Sequence, residues 1–221
     1  MNNKGNRMDA KMIATVAMLC AIAFVAKLIS NVFPMVAGFL SFDLKDVIIA
    51  IGGFVLGPLA GALIAVIVSF IEMLTISSTG PIGFIMNILS SCSFVCVAAV
   101  IYRKDRSMKG AVTGLIAGVL YMTAVMLLWN WLVTPLYMKV PRETVAGMLL
   151  PVFMPFNLVK GGINATLSML LYKPVVTALR KASLVPQSSA GKRTARWGVL
   201  IVTVILLITF VLLGLVLAGV I

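Results

Sequence analysis

Histidine is absent from this chain, and only six of its 221 residues are acidic. Without an imidazole, a Ser–His pair, a Cys–His pair and a histidine-ligated metal site are all excluded. A serine–lysine arrangement, with Lys160 as the base, stays formally open. The three cysteines, Cys20, Cys92 and Cys96, lie inside apolar runs, which makes them small buried hydrophobes rather than ligands or disulfide partners. A Gly-x-x-x-x-Gly-Lys-Ser/Thr motif is also missing, and Gly191-Lys192-Arg193-Thr194 does not supply one. The chain therefore carries no recognisable ATP motor. No internal repeat of the kind that builds many secondary carriers is visible, although a short second apolar run leaves that class open.

What is present is apolar. Hydrophobic residues make up 62% of the chain and charged residues 11%. The apolar runs are continuous rather than alternating, which excludes a transmembrane barrel and gives an all-α, polytopic helical bundle. The formal charge of +12 does not point to nucleic acid, because the bases cluster between the apolar runs with no interleaved aromatic stripe.

The chain divides into a polar start at 1–11, a six-span bundle at 12–181, a basic linker at 182–196 and a last uncharged apolar helix at 197–221. The expected spans are Met12–Phe33, Val47–Leu56, Leu59–Ile76, Ile82–Tyr102, Ala111–Val133 and one beginning near Pro151–Phe153. A cleaved signal peptide is the alternative for the first, but its apolar pattern resumes after Lys27. Phe39–Asp46 and Thr134–Gly147 are expected as loops. Placing the N-terminus inside puts Lys4, Arg7, Lys11, Arg103, Lys104, Arg106, Lys109, Lys173, Arg180, Lys181, Lys192, Arg193 and Arg196 on the cytoplasmic side. Lys45, Lys139 and Arg142 are then outside. The positive-inside rule selects this orientation. A multi-pass cell-membrane protein with a cytoplasmic N-terminus follows, and a last helix that carries the C-terminus out.

Polar residues inside the spans are the candidate site, because each must be hidden from lipid. In the last shared span Asn157, Lys160, Gly161 and Asn164 recur at helical spacing, with Ser168 one turn on, and form a stripe. A rise of about 1.5 Å per residue places Lys27, Glu72, Asn87, Asn130, Asn157 and Lys160 towards the outer half. That is a pocket open to the outside, not a polar channel. Glu72 is a candidate partner for Lys160. Asp43 and Asp46 are expected to cap the second helix at its positive end. Trp129 and Trp131 could stack on a ligand or belong to an interfacial belt. The spacings Gly53/Gly57/Gly61 and Gly110/Gly114/Gly118 suit close helix packing, and Ala17/Ala21 suits either packing or a partner.

Specific stretches resemble a known family. Phe39-Leu40-Ser41-Phe42-Asp43-Leu44-Lys45-Asp46, running into Ile51-Gly52-Gly53-Phe54-Val55-Leu56-Gly57-Pro58-Leu59-Ala60-Gly61, is similar to the signature of substrate-binding subunits of energy-coupling factor (ECF) vitamin transporters. Glu72-Met73-Leu74, Ser78-Thr79-Gly80-Pro81-Ile82-Gly83 and Asn157-Leu158-Val159-Lys160 resemble the riboflavin-specific branch. The likeness covers about 10–179. It implies a six-helix S-component core that takes riboflavin from outside as a transported ligand, with no cofactor and no catalysis. The implied partners are a transmembrane coupling protein, docked on Ala17 and Ala21, and two cytosolic ATPases, with the whole bundle tipping to release vitamin inside. Another vitamin or a flavin nucleotide is the alternative ligand. The implied ligand residues are Asn157, Lys160, Asn130, Asn87, Thr79, Gly83, Asn164 and Glu72, with Leu40 and Phe42 as lid residues. The final helix departs from the six-helix pattern, and a plain lipid-facing anchor is its simplest expectation.

Overall fold

In a computed structural model of the chain, residues 10–185 and 197–221 are described. The first nine residues and the linker segment 186–196, which includes the rejected ATP-loop candidate, lie outside them. The described residues form eight α-helices: α1 Ala10–Ser30, α2 Lys45–Leu56, α3 Pro58–Thr75, α4 Gly80–Lys104, α5 Met108–Met138, α6 Arg142–Met148, α7 Met154–Lys181 and α8 Trp197–Leu217. A π-helical turn, Leu149–Phe153, joins α6 to α7. The all-α bundle is as expected, with only an isolated Val36–Leu40 bridge among the described residues.

Six helical stretches are long and apolar enough to cross a membrane. The expected second span is not among them. At 12 residues, α2 rises about 18 Å, little more than half a hydrocarbon core. It begins inside the bundle and returns at once as α3 through Gly57, whose φ of 100° suits a residue without a side chain. The hairpin is tight enough that a Cβ on Gly61 would lie 3.1 Å from the Gly53 Cα.

The Thr134–Gly147 loop is also corrected. Its first part continues α5 through Pro135 to Met138, and its second forms α6. Arg142 sits over the Trp131 ring at 5.4 Å, which ties that tryptophan to the end of the helix rather than to a pocket.

The helices alternate in direction, so the bundle has two distinct ends. One end is basic: Arg103 and Lys104 close α4, and Arg180 and Lys181 close α7. There Thr15 of α1 donates to the Leu184 carbonyl at 3.2 Å. The other end carries the α1–α2 loop, the start of α4 and the start of α7; we call it the lid end.

The expected glycine spacings serve helix packing. On α5, a Cβ at Gly114 would fall 2.7 Å from the Ala98 carbonyl oxygen, and one at Gly118 would fall 2.5 Å from that of Phe94. Backbone meets backbone along α4–α5, as small residues permit in a lipid solvent where dispersion and close fit supply much of the adhesion. Ala17 and Ala21, by contrast, lie on the exposed side of α1. Replacing Gly118 with leucine should destabilise the detergent-solubilised protein by about 1–3 kcal/mol in thermal unfolding. Gly198→Leu, at a glycine with open space around it, should leave the midpoint unchanged.

Candidate functional site

The polar interior of the lid end is an ionic cluster. Lys27 arrives from α1, Asp43 from the α1–α2 loop, Lys45 and Asp46 from α2, Glu72 from α3 and Lys160 from α7. All six are buried. The Lys27 ammonium lies 3.3 Å from Glu72 and 3.7 Å from Asp43. Lys45 lies 3.1 Å from Asp43 and donates a short hydrogen bond to Glu72. Half of the chain's six acidic residues are used here, against three lysines, so the formal charges cancel.

Three expectations change. Lys45, assigned to the outside, is 1% exposed and among the largest fully buried side chains. Glu72 pairs with Lys45 and Lys27, not with Lys160, because the α1–α2 loop brings Lys45 down against α3. Asp46 does not cap its helix through its side chain; one carboxylate oxygen accepts from the Ser91 hydroxyl of α4 and the other has no partner among the described residues. Asp43 does take the Lys45 backbone N–H, at 3.3 Å.

In the loop, burial works against ionisation of Asp43, but Lys45, Lys27 and Lys160 outweigh it and hold its carboxyl below the usual carboxylate range. Stability from that group is present at neutral pH and is lost only as the pH falls through the depressed value.

Lys160 is different from the other two lysines. It is 9% exposed, and among the described residues it has no ion-pair or hydrogen-bond partner. Asp43 and Asp46 reach it only as more distant charges. Three ammonium donors are thus held in a buried position with nothing to donate to, an arrangement that a ligand acceptor would complete.

One turn earlier, Asn157 donates to the Phe153 carbonyl at 2.7 Å, which fixes its amide at the junction of the π turn and α7. Asn130 donates to the Met126 carbonyl and accepts from Thr134, both at 2.8 Å. Each amide is therefore oriented by its own helix, with hydrogen-bonding capacity left over.

The remaining candidates are placed less centrally. Asn87 is half-buried and makes no hydrogen bond among the described residues. Thr79 bonds to Ser77, and a Cβ at Gly83 would overlap the Thr79 hydroxyl, so these two pack on each other at the start of α4. Asn164 is buried with both amide atoms unpartnered among the described residues. It lies one turn beyond Lys160 on α7, past Gly161, on which Val119 and Met122 of α5 close.

Above the cluster the α1–α2 loop is folded down. Val36 and Leu40 exchange backbone hydrogen bonds of 2.8 and 3.0 Å around a turn in which Ala37 and Gly38 have φ of 52° and 78°. Leu40 is half-buried; Phe42 is buried, its ring 5.3 Å from that of Phe156 on α7. At the basic end, a separate cavity of about 90 Å³ is lined by Phe54, Tyr102, Arg106, Ser168 and Tyr172, among others.

A helical membrane bundle with a neutralised ionic floor, oriented amides and a loop folded over them is a binding subunit rather than an open pore. The comparisons place it further. Residues 11–172 match the family model described as "ECF transporter, substrate-specific component", and the chain belongs to that family. It is 33% identical over 184 residues to "Riboflavin transporter RibU" of Staphylococcus aureus (strain TCH60), covering 80% of this chain and 97% of that protein. It is 29% identical over 194 residues to "Riboflavin transporter FmnP" of Bacillus subtilis (strain 168), covering 80% and 100%. A solved S component of a bacterial ECF transporter is 33% identical, with a TM-score of 0.65 over 79% of this chain and 99% of that one. These relatives are transporters, so the serine–lysine enzyme alternative falls away.

Charge neutrality makes the cluster sensitive to single replacements. Lys45→Met should cost about 3–5 kcal/mol, since it strands carboxylates in a buried site. The double variant Lys45→Met/Glu72→Met should lose clearly less than the sum of the two single variants in thermal unfolding.

Proposed function

We propose that this chain is the riboflavin-binding subunit of an ATP-driven ECF uptake transporter, capturing the vitamin at its lid end. The observation that carries the reading is the buried, unpartnered Lys160 ammonium beside Asn157, within a family whose similar members are riboflavin transporters. A flavin ring is flat and largely apolar, with carbonyls on one edge. Amides can donate to such carbonyls and accept from ribityl hydroxyls, and Lys160 supplies a charged donor.

The cluster's balance favours a neutral ligand. With three lysines against three carboxylates the formal charges already cancel, so a phosphate would bring in about two negative charges, and among the described residues of the cluster only the Lys160 ammonium is free of a direct partner to meet them. Riboflavin is preferred over a flavin nucleotide on that ground.

The lid end faces outward in this reading and the basic ends of α4 and α7 face the cytoplasm, in accord with the positive-inside rule. The C-terminus then follows α8 to the outer side. Ala17 and Ala21, small and exposed on α1, offer a flat face on which a membrane-embedded coupling protein could seat. Energy would come from cytosolic ATPases joined to that partner.

Titration of the purified protein with riboflavin should quench tryptophan fluorescence saturably, and flavin mononucleotide should bind more weakly. No response to riboflavin would overturn the reading. Lys160→Ala should weaken binding by about 10–100-fold, the worth of one or two hydrogen bonds to a charged donor. Ala17→Trp should leave binding intact and abolish uptake in vesicles containing the coupling protein and ATPases. Uptake by the subunit without those partners would instead indicate a secondary carrier.

A further inference from the structure

Helix α8 lies beyond residues 11–172, the stretch that matches the family model. It is strongly apolar and mostly exposed, as a lipid-facing anchor would be. Yet one side of it is fitted to the site. The Phe210 ring occupies the space that a side chain at Gly162 of α7 would fill, within 2.6 Å of the position of its Cβ. One turn on, Gly214 is buried against the Phe42 ring of the α1–α2 loop, with 3.1 Å between that ring and the place of a Gly214 Cβ, and Val159 of α7 stands 3.6 Å away.

The pairs 162–210 and 159–214 run antiparallel, so α8 climbs from the basic end to the lid end along α7. Its upper part joins Val36, Phe42, Phe156, Val159 and Ile163 in one apolar cluster, separate from the main core. That cluster is made of three elements: the loop that covers the site, the helix that carries Asn157 and Lys160, and α8.

From these contacts we infer that α8 is a strap that holds the α1–α2 loop closed over the binding site, with Phe210 and Gly214 as the positioning residues. The Phe42 ring is pinned on one side by Phe156 and on the other by the bare backbone of Gly214. Opening the loop withdraws that ring from a close-packed seat toward the aqueous rim, which adds an apolar exposure cost to every opening event. Phe210 packs against the same cluster as the loop residues Val36 and Phe42. Seated in the Gly162 notch, it sets the distance of α8 from α7 and so keeps Gly214 under Phe42. A strap of this kind acts on the opening rate of the loop, and therefore on ligand escape more than on capture.

The effect on ligand rests on the riboflavin reading above; the closure itself does not. Both can be measured in the full-length protein in detergent or nanodiscs, on wild type, Phe210→Ala, Phe210→Tyr and Gly214→Leu. Hydrogen exchange of backbone amides in 31–44 should speed up by about tenfold in Phe210→Ala and Gly214→Leu. Amides of α3 and α4 should be unchanged, and Phe210→Tyr should restore the wild-type pattern. Riboflavin dissociation, followed by recovery of flavin fluorescence on dilution, should be about fivefold faster in the two loosened variants, with association changed by less than about twofold. Loop exchange equal to wild type in Phe210→Ala overturns the strap, as does an equal loosening of α3 and α4, which would mark a merely structural helix. If wild type binds no riboflavin, the functional reading fails while the exchange experiment still decides the strap.

Discussion

Burial of ions in a lipid-solvated bundle is the constraint on which this structure turns. An isolated lysine or carboxylate at this depth costs several kcal/mol, so each must find its opposite. Glu72 sits on α3 and Lys27 on α1, and neither can leave. They pair with each other at 3.3 Å, and Lys45 and Asp43 join them as a second pair, so that each ion gains another partner. With them the α1–α2 loop enters the bundle, and α2 begins at the buried Lys45 and runs for only 12 residues. The folded loop and the buried start of α2 meet in one electrostatic balance.

The same balance couples the cover of the site to its floor. Asp43 belongs to the loop, and its partners Lys27 and Lys45 belong to the helices beneath it. Lifting the loop therefore moves a carboxylate away from two ammonium groups. Its cost can be offset when a ligand supplies acceptors to the cations it leaves. Those cations are Lys27 and Lys45, whereas Lys160 has donors but no direct partner among the described residues even with the loop down.

Much of this was legible in the sequence. Hydrophobic runs gave most of the long helices to within a few residues, although α2 is too short to be the span expected there, and the polar stripe on α7 identified Asn157 and Lys160 as groups that must be hidden. Glu72 and Lys27 announced themselves as ions within apolar runs. Lys45 did not, because it stands at the edge of a run where a lysine ordinarily faces water, and only the loop's path reveals that it is buried. The role of α5 beyond Val133 was hidden by Pro135, which reads as a break yet is carried inside the helix near its end. For α8 the composition is as featureless as any anchor's. Its fit to the site depends on two glycines opposite two phenylalanines, Gly162 with Phe210 and Gly214 with Phe42, a complementarity between distant residues that no local pattern displays.

The stripe on α7 also divides in a way that bears on transport. Its head, Asn157 and Lys160, belongs to the ionic site at the lid end. Its tail, Ser168, lines the cavity at the basic end beside the Tyr102 and Tyr172 hydroxyls, which are 3.3 Å apart. Between them Gly161 is covered by Val119 and Met122, and a Cβ there would fall 2.7 Å from the Val119 side chain. Polar groups thus enter the bundle from both ends, and between them two apolar side chains of α5 pack on α7 at Gly161. Asn164 and Ser168, buried without protein partners among the described residues, are groups that ordered water could satisfy from the basic end. Parting α5 from α7 at Gly161 would uncover Val119 and Met122, while close backbone contacts at Gly114 and Gly118 hold α5 to α4.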